Sequence, residues 1–522
     1  MHRQIKIEPN FKQHPAILEL DISMVLTSRR QPPAILEPAM AGSQAASPSS
    51  HLHVVVFPWL AFGHMIPFLE LSNRLARRGH AVTFVSTPRN AARLGAVPPE
   101  LSALVRVAAL ELPQVEGLPD GAESTADVPP EKVGLLKKAF DGLAAPFAQL
   151  VAEACAGGKD EVAAFSRKPD WIVLDFAQNW IWPIAEEHEI SCATFCILPA
   201  AFLAFVGPEH ENAAHPRSTA EDFMAAPPWI DFPSTIAHRR HEAQAIAAVF
   251  RPNDSGVSDM DRFWELQQRC RLVVLRSCPE AEPRLIPLLT DIFARPVIPA
   301  GLLLPDDVVG DDDAAPGGDQ SFSAAVRWLD EQPRGSVIYV ALGSEAPVTA
   351  EHVRELALGL ELSGVRFLWA LRWPFGHSGE LLPDGFERRV AGRGVVRAGW
   401  VPQVRVLAHA AVGAFLTHCG WGSTVENLFR FGHPLVMLPF VADQGLIARA
   451  MAARGVGVEV TWNEDDGSFR GDDVAAAVRR VMVEEEGVEL ARNAGELQKV
   501  VGDNPRQERY TDELVEYLQR YK

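Results

Sequence analysis

The run His53-Val54-Val55-Val56-Phe57 closes at Pro58, and together with the helical pattern and second apolar run behind it limits the fold more than any other feature of the chain. Phe68, Leu71 and Leu75 recur at helical spacing up to Arg78, Gly79 stops that pattern, and Ala81 to Val85 is apolar again. Strand, helix and strand at this spacing make a βαβ unit, whose crossover dictates a parallel sheet. The rhythm continues with a strand-like Val105 to Leu110, a helical pattern from Glu131 to Cys155, and the run Trp171 to Leu174 ending in Asp175. It starts afresh at Ser336 to Leu342, followed by Gly343-Ser344, a helical pattern from Glu351 to Leu362 and an apolar run from Phe367 to Leu371. Two such series fit in 522 residues as two α/β domains with sizeable cores. The expected architecture is two Rossmann-like, doubly wound domains facing a central cleft.

Composition breaks mark the boundaries. Residues 1–50 are expected to be a disordered N-terminal extension; from Met40 the chain reads like a natural start, so residues 1–39 are read as an extension or a gene-model artefact. Residues 51–298 form the predicted first domain, 299–323 the linker, and 324–522 the second domain. Within the first domain, residues 208–260 are rich in charge, proline and histidine, and are read as loops and helices over a substrate cleft. Asp306-Asp307 and Asp311-Asp312-Asp313 lie among Pro and Gly in the linker, which reads as solvated linker rather than a metal site.

The chemistry concentrates between Trp400 and Gln444. The run Val412 to Leu416 reads as a strand, His418-Cys419-Gly420-Trp421-Gly422 as a tight bend, and Ser423 to Phe431 as a helix, with Ser423 or Thr424 at its N-cap and Glu426 in its first turn. A strand-to-helix turn of this kind leaves backbone N–H groups unsatisfied beside the positive end of a helix dipole, which suits a phosphate. The formal charge of −18 agrees with that means of holding an anion and argues against nucleic-acid or anionic-membrane partners. Trp400 offers a flat face for a base, His418 and Ser423 hydrogen bonds for a diphosphate, and Glu426 and Asp443-Gln444 acceptors for polyols.

This stretch closely resembles the signature box of the plant UDP-sugar glycosyltransferases, family 1, which have the GT-B fold. The resemblance implies that Trp400 stacks on uracil, Gln403 and Glu426 hold ribose, His418 and Ser423 hold the diphosphate, and Asp443 and Gln444 hold the sugar, with the Trp421 backbone beside it. Ser344, Val401 and Gly422 are counted with them. SVIYVALGSE, FLWALR, FPWLAFGHMIPFLELSNRLA and VEGLPDGAEST also resemble family sequence, so the likeness spans roughly 51–522. There the last helix, about 506–522, crosses back onto the first domain. Two departures stand out: Gly422 replaces the asparagine usual in the family, so a side-chain contact to phosphate is missing, and one extra residue lies between Glu426 and Gly432, which a loop before Gly432 could absorb.

Transfer of a sugar to a hydroxyl needs a base, and histidine fits because its pKa lies near working pH. His64 and Asp175 fall at the carboxyl ends of the first and a later strand, where open α/β sheets place ligands, and both match the family's catalytic positions. His64 is expected in the loop after the first strand. The expected reaction is an inverting transfer of glucose from UDP-glucose, without a metal, to a small-molecule glycoside of the flavonoid, anthocyanidin or diterpenoid kind. UDP-rhamnose or UDP-xylose as donor, an aglycone acceptor, or a non-catalytic UDP-sugar-binding protein are the alternatives. A dehydrogenase would need GxGxxG after a strand and an esterase GxSxG; neither is present. Six scattered cysteines without a CxxC pair suit a reducing compartment, no apolar run is long enough for a membrane span, and no signal-peptide core is seen, so a cytoplasmic protein is expected; a monomer is expected as well.

Overall fold

Valines at alternate positions of the first strand set the layers. In β1 (His53–Phe57), Val54 and Val56 turn to one side of the sheet and Val55 and Phe57 to the other, and all are buried, as a strand covered on both faces requires. A computed structural model describes residues 51–157, 165, 167–304, 320–343, 346–374, 380–399, 401–464 and 466–522, without side chains at 320–323. Residues 1–50 and the linker aspartates therefore lie outside the described residues, as do Ser344 and Trp400.

The first sheet continues with β2 (Ala81–Ser86), β3 (Val105–Ala109), β4 (Trp171–Leu174), β5 (Ser191–Cys196), β6 (Leu272–Leu275) and β7 (Val297–Pro299). The second holds β8 (Val337–Ala341), β9 (Arg366–Leu371), β10 (Gly394–Ala398), β11 (Val412–Thr417), β12 (Leu435–Met437) and β13 (Gly457–Glu459). Their orders are β3-β2-β1-β4-β5-β6-β7 and β10-β9-β8-β11-β12-β13, and every neighbouring pair is parallel. In each sheet the winding reverses once, between β1 and β4 and between β8 and β11. Those are the topological switch points, where the connections leave a crevice at the carboxyl ends of the strands.

Three helical expectations are corrected. The helix after β1 is Phe62–Arg77, so His64 stands in its first turn rather than in a loop. The pattern from Glu131 to Cys155 is two helices, Val133–Asp141 and Ala144–Cys155, broken where Gly142 packs against Pro113. The helix after β11 begins at Trp421 with Gly420 as N-cap, not Ser423 or Thr424, because the His418 ring lies where a Gly420 side chain would stand, 2.5 Å from a built Cβ.

The last helix, Asn504–Arg520, lies on the first sheet, where Leu514, Val515 and Leu518 join the core formed with Val54, Val56, Leu71 and Leu75. The Trp171 indole donates to the Leu518 carbonyl at 2.9 Å, and Arg78 pairs with Glu508 and Asp512. Between the sheets, Arg449 pairs with Glu242 at 2.8 Å and the Trp421 indole donates to the Arg276 carbonyl at 2.8 Å.

Candidate active site

Register brings the first pair of candidates together. Phe57 pairs with Leu174, so the segments leaving β1 and β4 share the edge at the switch point. Asp175 comes directly after and is 3% exposed. Its Oδ2 accepts from the Trp59 backbone N–H at 2.9 Å and from His64 Nδ1 at 2.8 Å, and its Oδ1 accepts from Phe176 N–H at 2.8 Å. Three bonds hold the carboxylate in one orientation, and it in turn fixes the imidazole with Nδ1 protonated, making Nε2 the basic nitrogen. The Phe176 ring, 5.8 Å from the imidazole between centroids, limits its rotation. The Trp59 N–H contact had no signal in the sequence, since any backbone could provide it.

The second sheet repeats the arrangement. Thr417 pairs with Ala341, which puts His418 beside the Leu342-Gly343 segment. The His418 ring is clamped between Gly343, at φ +72°, and Gly420; a Cβ on either would stand 2.6 or 2.5 Å from it. Burial, and secondarily Arg372, pull its pKa down to about 4, so the ring is neutral, and its buried Nδ1 has no partner among the described residues. Cys419 takes φ +65°, a strained value for a residue with a side chain, and turns the chain sharply between strand and helix. Its thiol is fully buried and pushed well above the ordinary range by that burial, so it is no nucleophile.

Thr424 N–H is the first to bond back, to the Gly420 carbonyl at 3.0 Å, which leaves the N–H groups of Trp421, Gly422 and Ser423 ahead of the helix ladder. Thr424 Oγ1 donates to the same carbonyl and does not cap. The Gln403 amide reaches Glu426 Oε2 at 2.8 Å and the Ser423 hydroxyl at 3.4 Å, so these three candidates form one group. Burial raises the Glu426 pKa, against the pull of the Gln403 bond and Arg276. Val401 is half-buried and packs against the core of the second sheet. The Trp421 side chain points away, into the contact with the first half, so only its backbone faces the turn.

The extra residue before Gly432 is taken up inside the helix and not in a loop. Val425–Phe429 is a π turn, and Gly432 N–H bonds to both the Asn427 and Leu428 carbonyls at 3.1 Å. A single insertion into an α-helix is accommodated by one i→i+5 turn, which leaves the elements on either side in register.

Asp443 and Gln444 open the helix Gln444–Ala453 after Ala442, whose φ of +56° is again strained. Gln444 Oε1 accepts from the Phe440 and Val441 N–H groups at 2.9 and 3.1 Å, which fixes the orientation of its amide. Asp443 is buried, its Oδ2 has no partner among the described residues, and desolvation raises its pKa to about 7. The charge of His64 acts in the opposite direction, lowering it. Among the described residues no cluster of His, Cys, Asp and Glu is arranged to hold a metal ion.

A family model described as UDP-glucoronosyl and UDP-glucosyl transferase matches residues 288–519. The chain is 43% identical over 467 residues to UDP-glycosyltransferase 91C1 of Arabidopsis thaliana, covering 90% of this chain and 96% of that one. It is 36% identical to the Soyasaponin III rhamnosyltransferase of Glycine max, covering 90% and 96%. Among solved structures, a UDP-glucosyltransferase from Polygonum tinctorium capable of glucosylating indoxyl superimposes with a TM-score of 0.71 at 26% identity, covering 91% of this chain and all of that one.

Proposed function

The chain belongs to the plant UDP-glycosyltransferases and is an enzyme of GT-B fold, and from that premise we propose that it transfers glucose from UDP-glucose, with inversion, to a hydroxyl of a sugar already carried by a small plant metabolite. One observation carries the reading: the His64 imidazole is fixed by Asp175 at 2.8 Å in the first half, and the Glu242–Arg449 pair at 2.8 Å seats the helix that follows Asp443 against that same half. A proton acceptor from one half and a polyol-binding carboxylate from the other can then meet one sugar.

In the step itself, the acceptor oxygen bonds to the anomeric carbon as its proton passes to His64 Nε2. The bond from that carbon to the diphosphate oxygen breaks on the opposite face. Asp175 stabilises the imidazolium that results. The leaving diphosphate is met by the Trp421–Ser423 N–H groups, Ser344 and neutral His418, with Trp400, Gln403 and Glu426 on the nucleoside. The Gln444 amide and Asp443 hold the sugar hydroxyls. Free thiols at all six cysteines suit the cytoplasm, and among the described residues no helix is long and apolar enough to cross a membrane.

UDP-rhamnose is the second donor reading, favoured by the likeness to a rhamnosyltransferase. Mass detection of products from UDP-glucose, UDP-rhamnose and UDP-xylose, each crossed with flavonoid and diterpenoid aglycones and their monoglycosides, tests the assignment. A glucosylated glycoside is the expected product; turnover of aglycones alone would overturn the acceptor class.

A further inference from the structure

We propose that Arg276 is a diphosphate-binding residue: its guanidinium, contributed by the first sheet, takes the space beside Gly422 and donates to the UDP-sugar diphosphate. The proposal rests on the UDP-sugar reading above. Arg276 comes directly after β6, and its fixed contacts hold everything but the tip of the side chain. Its N–H donates to the Cys196 carbonyl at 2.9 Å, its carbonyl accepts from the Trp421 indole at 2.8 Å, and its Nε donates to the Leu302 carbonyl at 3.0 Å. Nη1 and Nη2 have no hydrogen-bond partner among the described residues, although the residue is only 5% exposed. A Cβ built on Gly422 would stand 3.7 Å from Nη1, which locates the fork at the turn where Trp421, Gly422 and Ser423 leave their N–H groups ahead of the helix ladder.

A guanidinium this buried, whose terminal nitrogens keep some solvent contact but meet no protein acceptor among the described residues, is placed to donate to an anion that arrives at the turn. Burial brings its pKa down to about 10, so it keeps its charge at neutral pH. Glu426 is the strongest charge acting on it, ahead of Glu70 and Arg74, but no hydrogen bond joins the two, and the Glu426 carboxylate is engaged by Gln403. Neither uracil nor ribose carries an anion that two parallel N–H groups would suit, whereas a diphosphate does. The Trp421 bond to the Arg276 carbonyl couples the position of this cation to the helix that carries Ser423 and Glu426.

Calorimetric titration of UDP and of uridine into the full chain, its Arg276→Gln variant and the Arg276→Gln/Gly422→Asn double variant tests this. Removing the cation is expected to weaken UDP about 10- to 100-fold, the worth of a charge-assisted bond, while uridine shifts by less than about twofold. The built Cβ meets Arg276 at ordinary contact distance, so asparagine fits at 422 and is expected to restore part of the UDP affinity. Equal weakening of UDP and uridine, or unchanged UDP affinity, would overturn the proposal. A wild-type chain that binds no UDP would instead sink the donor reading itself. If Arg276→Gln does not fold, Arg276→Lys, which retains the charge without the fork, is expected to weaken UDP and spare uridine, and equal affinity for UDP would overturn the assignment.

Discussion

At His64 the chemistry turns on which nitrogen carries the proton, and Asp175 decides that. His64→Ala is expected to lose transfer while binding UDP as before, because the imidazole lies in the half opposite the nucleotide; calorimetry beside a turnover assay checks both. Asp175→Asn keeps the shape but reverses the bond to Nδ1, and kcat is expected to fall by about 10²- to 10⁴-fold. An unchanged rate would leave Asp175 as no more than an anchor for the Trp59 and Phe176 backbone. Asp443 supplies a prediction with a sign. Its folded pKa is raised to about 7 from 3.8, so the folded state holds a proton that the unfolded chain has released, and stability from this group falls as pH rises through that window. Asp443→Asn is expected to melt higher than wild type without ligand at pH 8, the difference vanishing below pH 4, and to bind UDP-glucose less tightly relative to UDP. A variant that melts lower at pH 8 would contradict it. His64 and Asp175 are legible in the sequence because strand ends mark the ligand edge of a parallel sheet. Arg276 is not, since a lone arginine after an apolar run says nothing about a glycine far along the chain that it will lie beside.

Strands and turns show where reading by pattern gives out. β1, β8 and β11 are visible because apolar runs stand next to a glycine or proline break. β5, β7 and β12 escape: β5 and β12 are buried on both faces and lack alternation, β7 and β12 have three residues each, and the Cys192–Cys196 stretch merges with the apolar segment up to Val206. The N-cap departs from its pattern for a different reason. Serine and threonine hydroxyls favour that position in general, but the clamped His418 ring leaves room only for glycine there. The extra residue after Glu426 is visible as a count, while its accommodation as a π turn depends on the buried Leu428 and Phe429 holding the helix on the core. Deleting Arg430 should therefore return the turn to α geometry. The shortened chain is expected to fold, bind UDP and melt no lower than the parent in a thermal scan; loss of UDP binding would mean that the insertion is part of the site.

Across the whole molecule, the two sheets are joined by specific contacts rather than by the linker alone. Glu242 lies against Gly445, a built Cβ of which would stand 2.2 Å from its carboxylate, and it also takes both terminal nitrogens of Arg449. This seats the helix that starts at Gln444, and with it Asp443, against the first half. The final helix does the same from the other end. Removing 504–522 uncovers the faces that Leu514, Val515 and Leu518 bury, at about 2 kcal/mol for each side chain, and a fall of at least ~5 °C in melting temperature is expected. A truncated chain that melts with the full one would refute that role. The crossing of this helix also has a bearing on synthesis. A ribosome makes the front sheet first, yet the hydrophobic flank over Leu71 and Leu75 stays uncovered until the closing segment has left the exit tunnel. The nascent front lobe must therefore wait, sticky and unfinished, for nearly the entire message to be translated, a delay in which chaperones have something to hold.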